Sequence, residues 1–137
     1  MKRTLLLALS AVGLLVMAIP AWSHHAFTAE FDANQPIKLR GTVAKFELIN
    51  PHSWIHMDVK NADGTTTRWM IEGGTPNTLL RQGITKKSLP IGGEILVDGY
   101  RAKDGSNRAN GRDVTFADGR KLFLGSSNPD SGTPSSK

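Results

Sequence analysis

The amino-acid sequence predicts an all-β fold, an OB-like five- to six-stranded barrel with one short helix between strands three and four. Three observations predict it. Several short segments alternate apolar and polar residues between turn residues. The first segment changes phase partway along, and only one segment has the residues that begin and end a helix. A small up-and-down barrel or a β-sandwich also fits the alternation, but a helix after the third strand favours the OB-like order.

The first two strands are predicted from where the alternation holds and where it breaks. Apolar side chains alternate over residues 37–43, and from residue 44 to 48 they alternate in the opposite phase. Such a shift indicates a β-bulge or a strand that serves two faces, and Gly41 lies where the chain bends easily. The second strand is predicted at 54–60, and the turn residues at 61–64 end it.

The clearest helix signal lies after the third strand. Thr75 can cap a helix, and Pro76 suits its first position. Leu79 and Leu80 supply an apolar stripe, and Gly83 suits the end.

The remaining strands complete the pattern. Asp118-Gly119 is a strong two-residue hairpin signal between the last two of them. The predicted bounds are 65–72 for the third strand, 94–101 for the fourth, 103–111 for a long polar loop, 112–117 for the fifth strand and 121–123 for the sixth.

Both ends of the 137-residue chain are predicted to lie outside the single domain that this length allows. Residues 1–23 combine a basic start with an apolar run shorter than the roughly 20 residues that cross a bilayer. They predict a cleaved export signal, hence a periplasmic or secreted protein, with an uncleaved anchor as the alternative. Residues 125–137 carry no large apolar side chain and predict a disordered tail. The barrel is therefore expected at 24–124.

Composition narrows the class of protein. The chain contains no cysteine, which excludes disulfide scaffolds, thiol catalysis, zinc fingers and iron–sulfur clusters. Its formal charge of +5 falls to +3 when the signal is cleaved, because the signal carries Lys2 and Arg3. A mild, scattered positive charge is typical of a solvated surface. We therefore expect no nucleic-acid partner, and no stable membrane insertion after signal cleavage.

Two histidines, His24 and His25, open the mature chain if the signal is cut after Ser23. An amino-terminal histidine offers its amino nitrogen and its imidazole as a chelate, and the second histidine completes a nitrogen-rich site. Such a site suits copper, which leads the affinity order for nitrogen ligands, and zinc is the alternative metal. A cut after Ala21 instead places His24 third, which is another copper(II) arrangement. The competing interpretation is a solvated start of the chain.

The other two histidines, His52 and His56, flank Trp54 on or near the second strand. Strand positions four apart lie roughly 13 Å from each other. One metal ion, with ligand bonds near 2 Å, cannot bind both. We therefore expect one of them to join His24 and His25 in a metal site, or both to be exposed polar side chains.

A ligand-binding face is predicted next to these histidines, where OB barrels bind ligands. Trp54 supplies an aromatic surface, and the 103–111 loop supplies hydrogen-bonding groups from Asn107, Arg108 and Asn110. The competing interpretation is that Trp54 only packs against the barrel wall.

Signatures of catalysis are absent. The sequence contains no Gly-x-Ser-x-Gly, Walker or dinucleotide motif. Glu47, Asp58 and Glu72 lie on different predicted strands, and their spacing does not pair them for hydrolysis. The favoured hypothesis is a non-enzymatic exported binding protein that holds copper. The alternatives are a copper-dependent oxidative enzyme and an envelope module that binds a saccharide or a protein partner.

Several short motifs resemble a bacterial family of small exported proteins of unknown function. The resemblance runs from His24 to about Ser126, and it implies an exported single domain without an established activity or catalytic residues. It also implies that a His-His start is typical after the signal, which favours a cut close to His24. The motifs are His24-His25-Ala26-Phe27, Gly41-Thr42-Val43, Asn50-Pro51-His52-Ser53-Trp54, the segment 75–81 and the segment 99–105.

Overall fold

The computed structural model describes residues 26–126 and confirms the predicted all-β, OB-like architecture. The predicted signal, His24, His25 and residues 127–137 of the predicted tail lie outside the described residues. No helix in the described part of the chain is long and apolar enough to cross a membrane. Residues 26–30 form a helical turn. The elements that follow are β1 (Phe31–Glu47), β2 (Trp54–Lys60), β3 (Thr66–Glu72), α1 (Pro76–Arg81), β4 (Glu94–Ala102), β5 (Arg108–Phe116) and β6 (Lys121–Phe123).

Five of the strands pair in a ring. β1 pairs antiparallel with β2 on one edge and with β4 on the other, and β3 and β5 extend the sheet on the two sides. A parallel pairing of β3 with β5 joins the two sides, from Met70 opposite Arg108 to Glu72 opposite Asn110. β6 returns from the Asp118-Gly119 turn and pairs with β5, as predicted. The ring places the end of β3 beside the beginning of β5.

The predicted irregularity in β1 is a β-bulge. The register of β1 against β2 shifts between Val43 and Lys45, where the alternation of the sequence changes phase. Just before it, the β1 and β2 backbones approach so closely at Gly41 that a Cβ there would lie 2.3 Å from the Asp58 carbonyl oxygen. Only glycine, which has no Cβ, allows the two backbones to lie this close together.

The helix α1 begins and ends where its sequence predicts. The Thr75 hydroxyl accepts the Thr78 backbone N–H at 3.2 Å, and Gly83 adopts a φ of +79° after the last turn. The predicted apolar stripe is wrong for one of its two leucines, because Leu79 is fully buried whereas Leu80 is 48% exposed. Successive helical residues point about 100° apart, so a helix of this length buries only one of two adjacent side chains.

β5 begins at Arg108, so the predicted loop 103–111 and the predicted start at 112 are wrong. Residues 108–110 are strand residues because all three pair with β3, and Ala109 and Asn110 also pair with β4. Tertiary pairing overrides the local preference of asparagine and glycine for loops. The loop is reduced to residues 103–107, where the Ser106 backbone N–H donates to the Asp104 carboxylate at 2.9 Å.

Two apolar clusters fix the structure. The main one fills the ring with inward-facing side chains such as Ile55, Ile71 and Val97, each at most 1% exposed. The second lies outside it and consists of Phe27, Phe31, Ala102 and Tyr100. The Phe27 ring lies 5.8 Å from the Phe31 ring and 5.7 Å from the Tyr100 ring, measured between centroids. This second cluster anchors the helical turn 26–30 to the outside of the barrel.

Candidate functional site

Three side chains at one end of the barrel form a row across β2, β3 and β5. Trp54 is the register partner of Glu72, and Glu72 is the register partner of Asn110. Their neighbours Ile55 and Ile71 point into the core, so the row lies on the outer face. The row brings together Trp54 and Asn110, two residues that are predicted from the sequence to bind a ligand.

Arg108 connects this row to the amino-terminal turn. Its guanidinium carbon lies 5.7 Å from the centre of the Trp54 ring and 5.9 Å from that of Phe31. The same group makes an ion pair of 2.7 Å with the Glu30 carboxylate. One face of Trp54 is therefore covered by Arg108, and Glu30 is held above the outer face of the barrel.

Glu72 is a buried carboxylate at the centre of the cluster, with a residue exposure of 5%. His52 Nδ1 lies 3.3 Å from its Oε1, and the Asn110 side-chain amide donates to the same oxygen at 3.3 Å. The side-chain oxygen Oδ1 of Asn110 accepts a hydrogen bond from the Ser126 hydroxyl at 2.5 Å. Four separate parts of the chain therefore meet at one buried charge: the segment before β2, β3, β5 and the residues after β6.

Burial raises the pKa of the Glu72 carboxyl above its ordinary value. The charges of His52 and Arg108 and the Asn110 hydrogen bond oppose this rise, while the charge of Glu30 adds to it. The ionised form of Glu72 thus depends on the cationic and hydrogen-bonding groups around it.

This raised pKa predicts a pH dependence of stability. The contribution of Glu72 is fully present below its ordinary pKa of 4.5 and is lost as the pH rises through the folded-state pKa. We expect Glu72→Gln, a neutral isostere, to remove that loss, so that the free energy of unfolding falls less from pH 4.5 to pH 8 than in the wild type. Urea unfolding at successive pH values measures it, and a Glu72→Gln curve parallel to the wild-type curve would contradict the prediction.

Glu47 provides the matched control for the pH measurement. Hydrogen bonds from Lys45, and then from His56, lower the pKa of the Glu47 carboxyl. The contribution of Glu47 to stability is therefore present above its ordinary pKa of 4.5 and is lost as the pH falls through the folded-state value. Glu47→Gln should therefore lower the free energy of unfolding at neutral pH by a constant amount and remove the loss on the acid side, while the fall from pH 4.5 to pH 8 that Glu72 causes should remain as in the wild type.

His52 and His56 contact different carboxylates. His56 Nε2 lies 2.8 Å from Glu47 Oε2, and the other oxygen of Glu47 pairs with the Lys45 ammonium at 2.5 Å. The His56 side chain is 17% exposed, compared with 36% for His52. Of the two histidines, His52 has the more accessible ring.

Asn107 and Asn110, the two asparagines that are predicted to bind a ligand, differ in their exposure to solvent. Asn107 is exposed, and its backbone carbonyl accepts the Met70 N–H at 3.0 Å. Asn110 is 1% exposed, so its side chain, which lies beside Glu72 and donates to it, does not face solvent. No sequence pattern marks Glu30 or Ser126 as part of a site, and the sequence presents Glu72 only as an acid without a predicted partner. The available signal for Glu72 is a carboxylate directly after the apolar residues 69–71, at the end of a strand.

No group of three histidine, aspartate or glutamate side chains within residues 26–126 is arranged to hold a metal ion. His24 and His25, the predicted amino-terminal ligands, lie outside the described residues. A metal site at this end of the barrel therefore requires donors from outside residues 26–126.

The fold and the cluster define an all-β, OB-like domain with a histidine–glutamate pair on its outer face. Residues 11–111 match a family model described as "Family of unknown function (DUF6152)", and the chain belongs to that family. No curated protein and no solved structure matches the chain. The expected resemblance to a family of unknown function is confirmed.

Proposed function

We propose that the protein is an exported, non-enzymatic binding protein that acts in the periplasm and holds copper between His24, His25 and His52. The contact between His52 Nδ1 and Glu72 carries the proposal. A carboxylate at Nδ1 keeps the proton on that nitrogen and orients the ring, which leaves the Nε2 lone pair for a metal. Glu47 holds His56 through Nε2 in the same way, but the His56 side chain is only 17% exposed, compared with 36% for His52.

The position of the amino-terminal turn supports the proposal. Phe27 is 1% exposed, the Lys103 backbone N–H donates to the Glu30 carbonyl at 2.9 Å, and the Lys103 ammonium donates to the Thr28 carbonyl. A helical turn from residue 26 to Glu30 spans about 6 Å. Glu30 is close enough for its charge to act on Glu72. His25 therefore precedes a segment that is anchored beside His52.

The donor set favours copper. The chain contains no cysteine, so these ligands are an amino nitrogen and imidazole nitrogens. Nitrogen sites bind copper(II) more tightly than zinc, nickel or cobalt. The imidazole of His52 adds a donor from the barrel, which distinguishes this site from a free amino-terminal chelate.

A copper(II) titration of the processed protein, which we define as residues 24–137 with His24 at the amino terminus, tests the proposal. We expect His52→Ala to weaken copper binding by about 100-fold, because losing a ligand should cost at least as much as losing its outer-shell partner. His56→Ala is the matched control and should bind as the wild type does. Competition with a chelator of known affinity measures both. Equal affinities for the two variants would remove His52 from the site and refute the proposal.

The same preparation separates binding from catalysis. Tight copper binding without oxidation of a reductant under oxygen supports the binding function. Sustained oxidation that is lost in His52→Ala would instead support a copper-dependent oxidative enzyme.

A further inference from the structure

A second distinctive surface lies at the opposite end of β4 and β5 from the Glu72 cluster. Ile91 is 76% exposed, the highest value among the large apolar side chains in the described part of the chain. It lies in a defined turn, because the Gly92 N–H donates to the Val43 carbonyl at 2.7 Å and the Gly93 N–H donates to the Pro90 carbonyl at 3.1 Å. The turn fixes an aliphatic side chain in solvent.

A concave apolar surface adjoins this turn. A cavity of about 390 Å³ is lined by the apolar side chains of Val43, Ile95 and Phe116, with Pro90 beside Ile91. Lys87 and Arg120 are also among its lining residues. The barrel therefore presents apolar groups next to basic ones at this end.

We define the basic rim as Lys86, Lys87, Arg120 and Lys121, which are all exposed. Within residues 26–126, neither the Lys86 nor the Lys87 ammonium has an ion-pair partner. The two carboxylates lining the same cavity are already neutralised. Asp118 pairs with Arg120 at 2.7 Å, and Glu94 pairs with Arg40 at 2.7 Å. The rim consequently keeps a net positive charge.

We propose that this end of the barrel docks reversibly on the surface of an anionic phospholipid bilayer. Ile91 would enter the boundary between headgroups and acyl chains, and the lysines of the basic rim would lie against lipid phosphates. An exposed aliphatic side chain beside unpaired lysines has the two components of peripheral membrane binding, apolar burial and attraction to anionic lipid. The docking surface is far from His52 and Glu72, so it is independent of the proposed metal site.

Co-sedimentation of the processed protein, residues 24–137, with phospholipid vesicles tests the proposal. We expect binding to vesicles that contain phosphatidylglycerol and little binding to phosphatidylcholine vesicles. Ile91→Ser and Lys87→Glu should each weaken partitioning to the anionic vesicles by about tenfold. Binding should also weaken as salt is raised, because exposed charges are screened.

Two matched variants control for exposure and net charge. Leu80 is also a largely exposed apolar residue, and Lys60 is also an exposed lysine, but neither lines this cavity. Leu80→Ser and Lys60→Glu should therefore bind anionic vesicles nearly as the wild type does. Thermal unfolding checks that all four variants are folded. Equal binding to both vesicle types, binding to neither, or equal losses in the control variants would overturn the proposal. Retention on a soluble polyanion without vesicle binding would point to an acidic macromolecule and would overturn it too.

Discussion

Gly41→Ala is expected to destabilise the domain by about 3 kcal/mol or more. Overpacking typically costs roughly 1–3 kcal/mol, and a site that cannot relax lies at the upper end of that range or above it. The added methyl group would lie 2.3 Å from the Asp58 carbonyl oxygen and 3.0 Å from the Met57 side chain. The first of these is backbone in a paired strand, so relief requires β1 and β2 to separate next to the bulge. Urea unfolding followed by far-ultraviolet circular dichroism measures the change.

A glycine in open space provides the control for this substitution. Gly105 has a φ of +77°, and an added Cβ there would meet nothing within 4 Å. Gly105→Ala should therefore cost only the backbone term, roughly 1–2 kcal/mol. Gly99→Ala, whose Cβ would lie 2.3 Å from the Asn110 carbonyl oxygen, should behave like Gly41→Ala. Equal losses at Gly41 and Gly105 would show that steric contact between strands does not set the cost.

One extra residue ahead of His24 is expected to weaken copper(II) binding by about 1,000-fold. The added residue moves the free amino group away from the His24 imidazole and breaks the chelate. Linked donors raise each other's effective concentration, and losing that linkage typically costs 10²–10⁴ in affinity. Titration of the two forms against a competing chelator measures the difference, after mass spectrometry has established each amino terminus.

The expected contrast has its own control within the chain. His25→Ala should weaken binding but leave the chelate of His24 in place, so its effect should be smaller than that of the added residue. Equal binding by the native and extended forms would exclude an amino-terminal chelate. In that case His52 and Glu72 would retain a structural role only.

Local patterns predicted most of the fold because local chemistry determines most of its elements. β2 begins and ends where the alternation of its residues predicts. The bulge in β1 and the caps of α1 also depend on neighbouring residues. The start of β5 was missed because its polar residues become strand only when β3 and β4 supply partners on both sides. Leu80 was misjudged because the packing of one short helix decides which leucine is buried.

The candidate site was harder to predict for the same reason. Spacing placed His52 and His56 apart, but only the paired strands show that one faces Glu72 and the other Glu47. Glu72 and Asn110 are 38 residues apart in the sequence, and no local pattern links them. A buried carboxylate becomes recognisable as part of a site only when its distant partners are known.

The position of β1 between β2 and β4 has a consequence for the order of folding. β1 pairs early in the chain with β2, but its other edge waits for β4, as the contact between Arg40 and Glu94 across 54 residues illustrates. Arg108 and Glu30 meet across 78 residues. Contacts this distant in sequence make folding slow relative to helical domains. During synthesis from the amino terminus, the ring therefore cannot close until β5 has been made. β1 is the first strand to be synthesised, but it gains its second neighbour only when β4 follows.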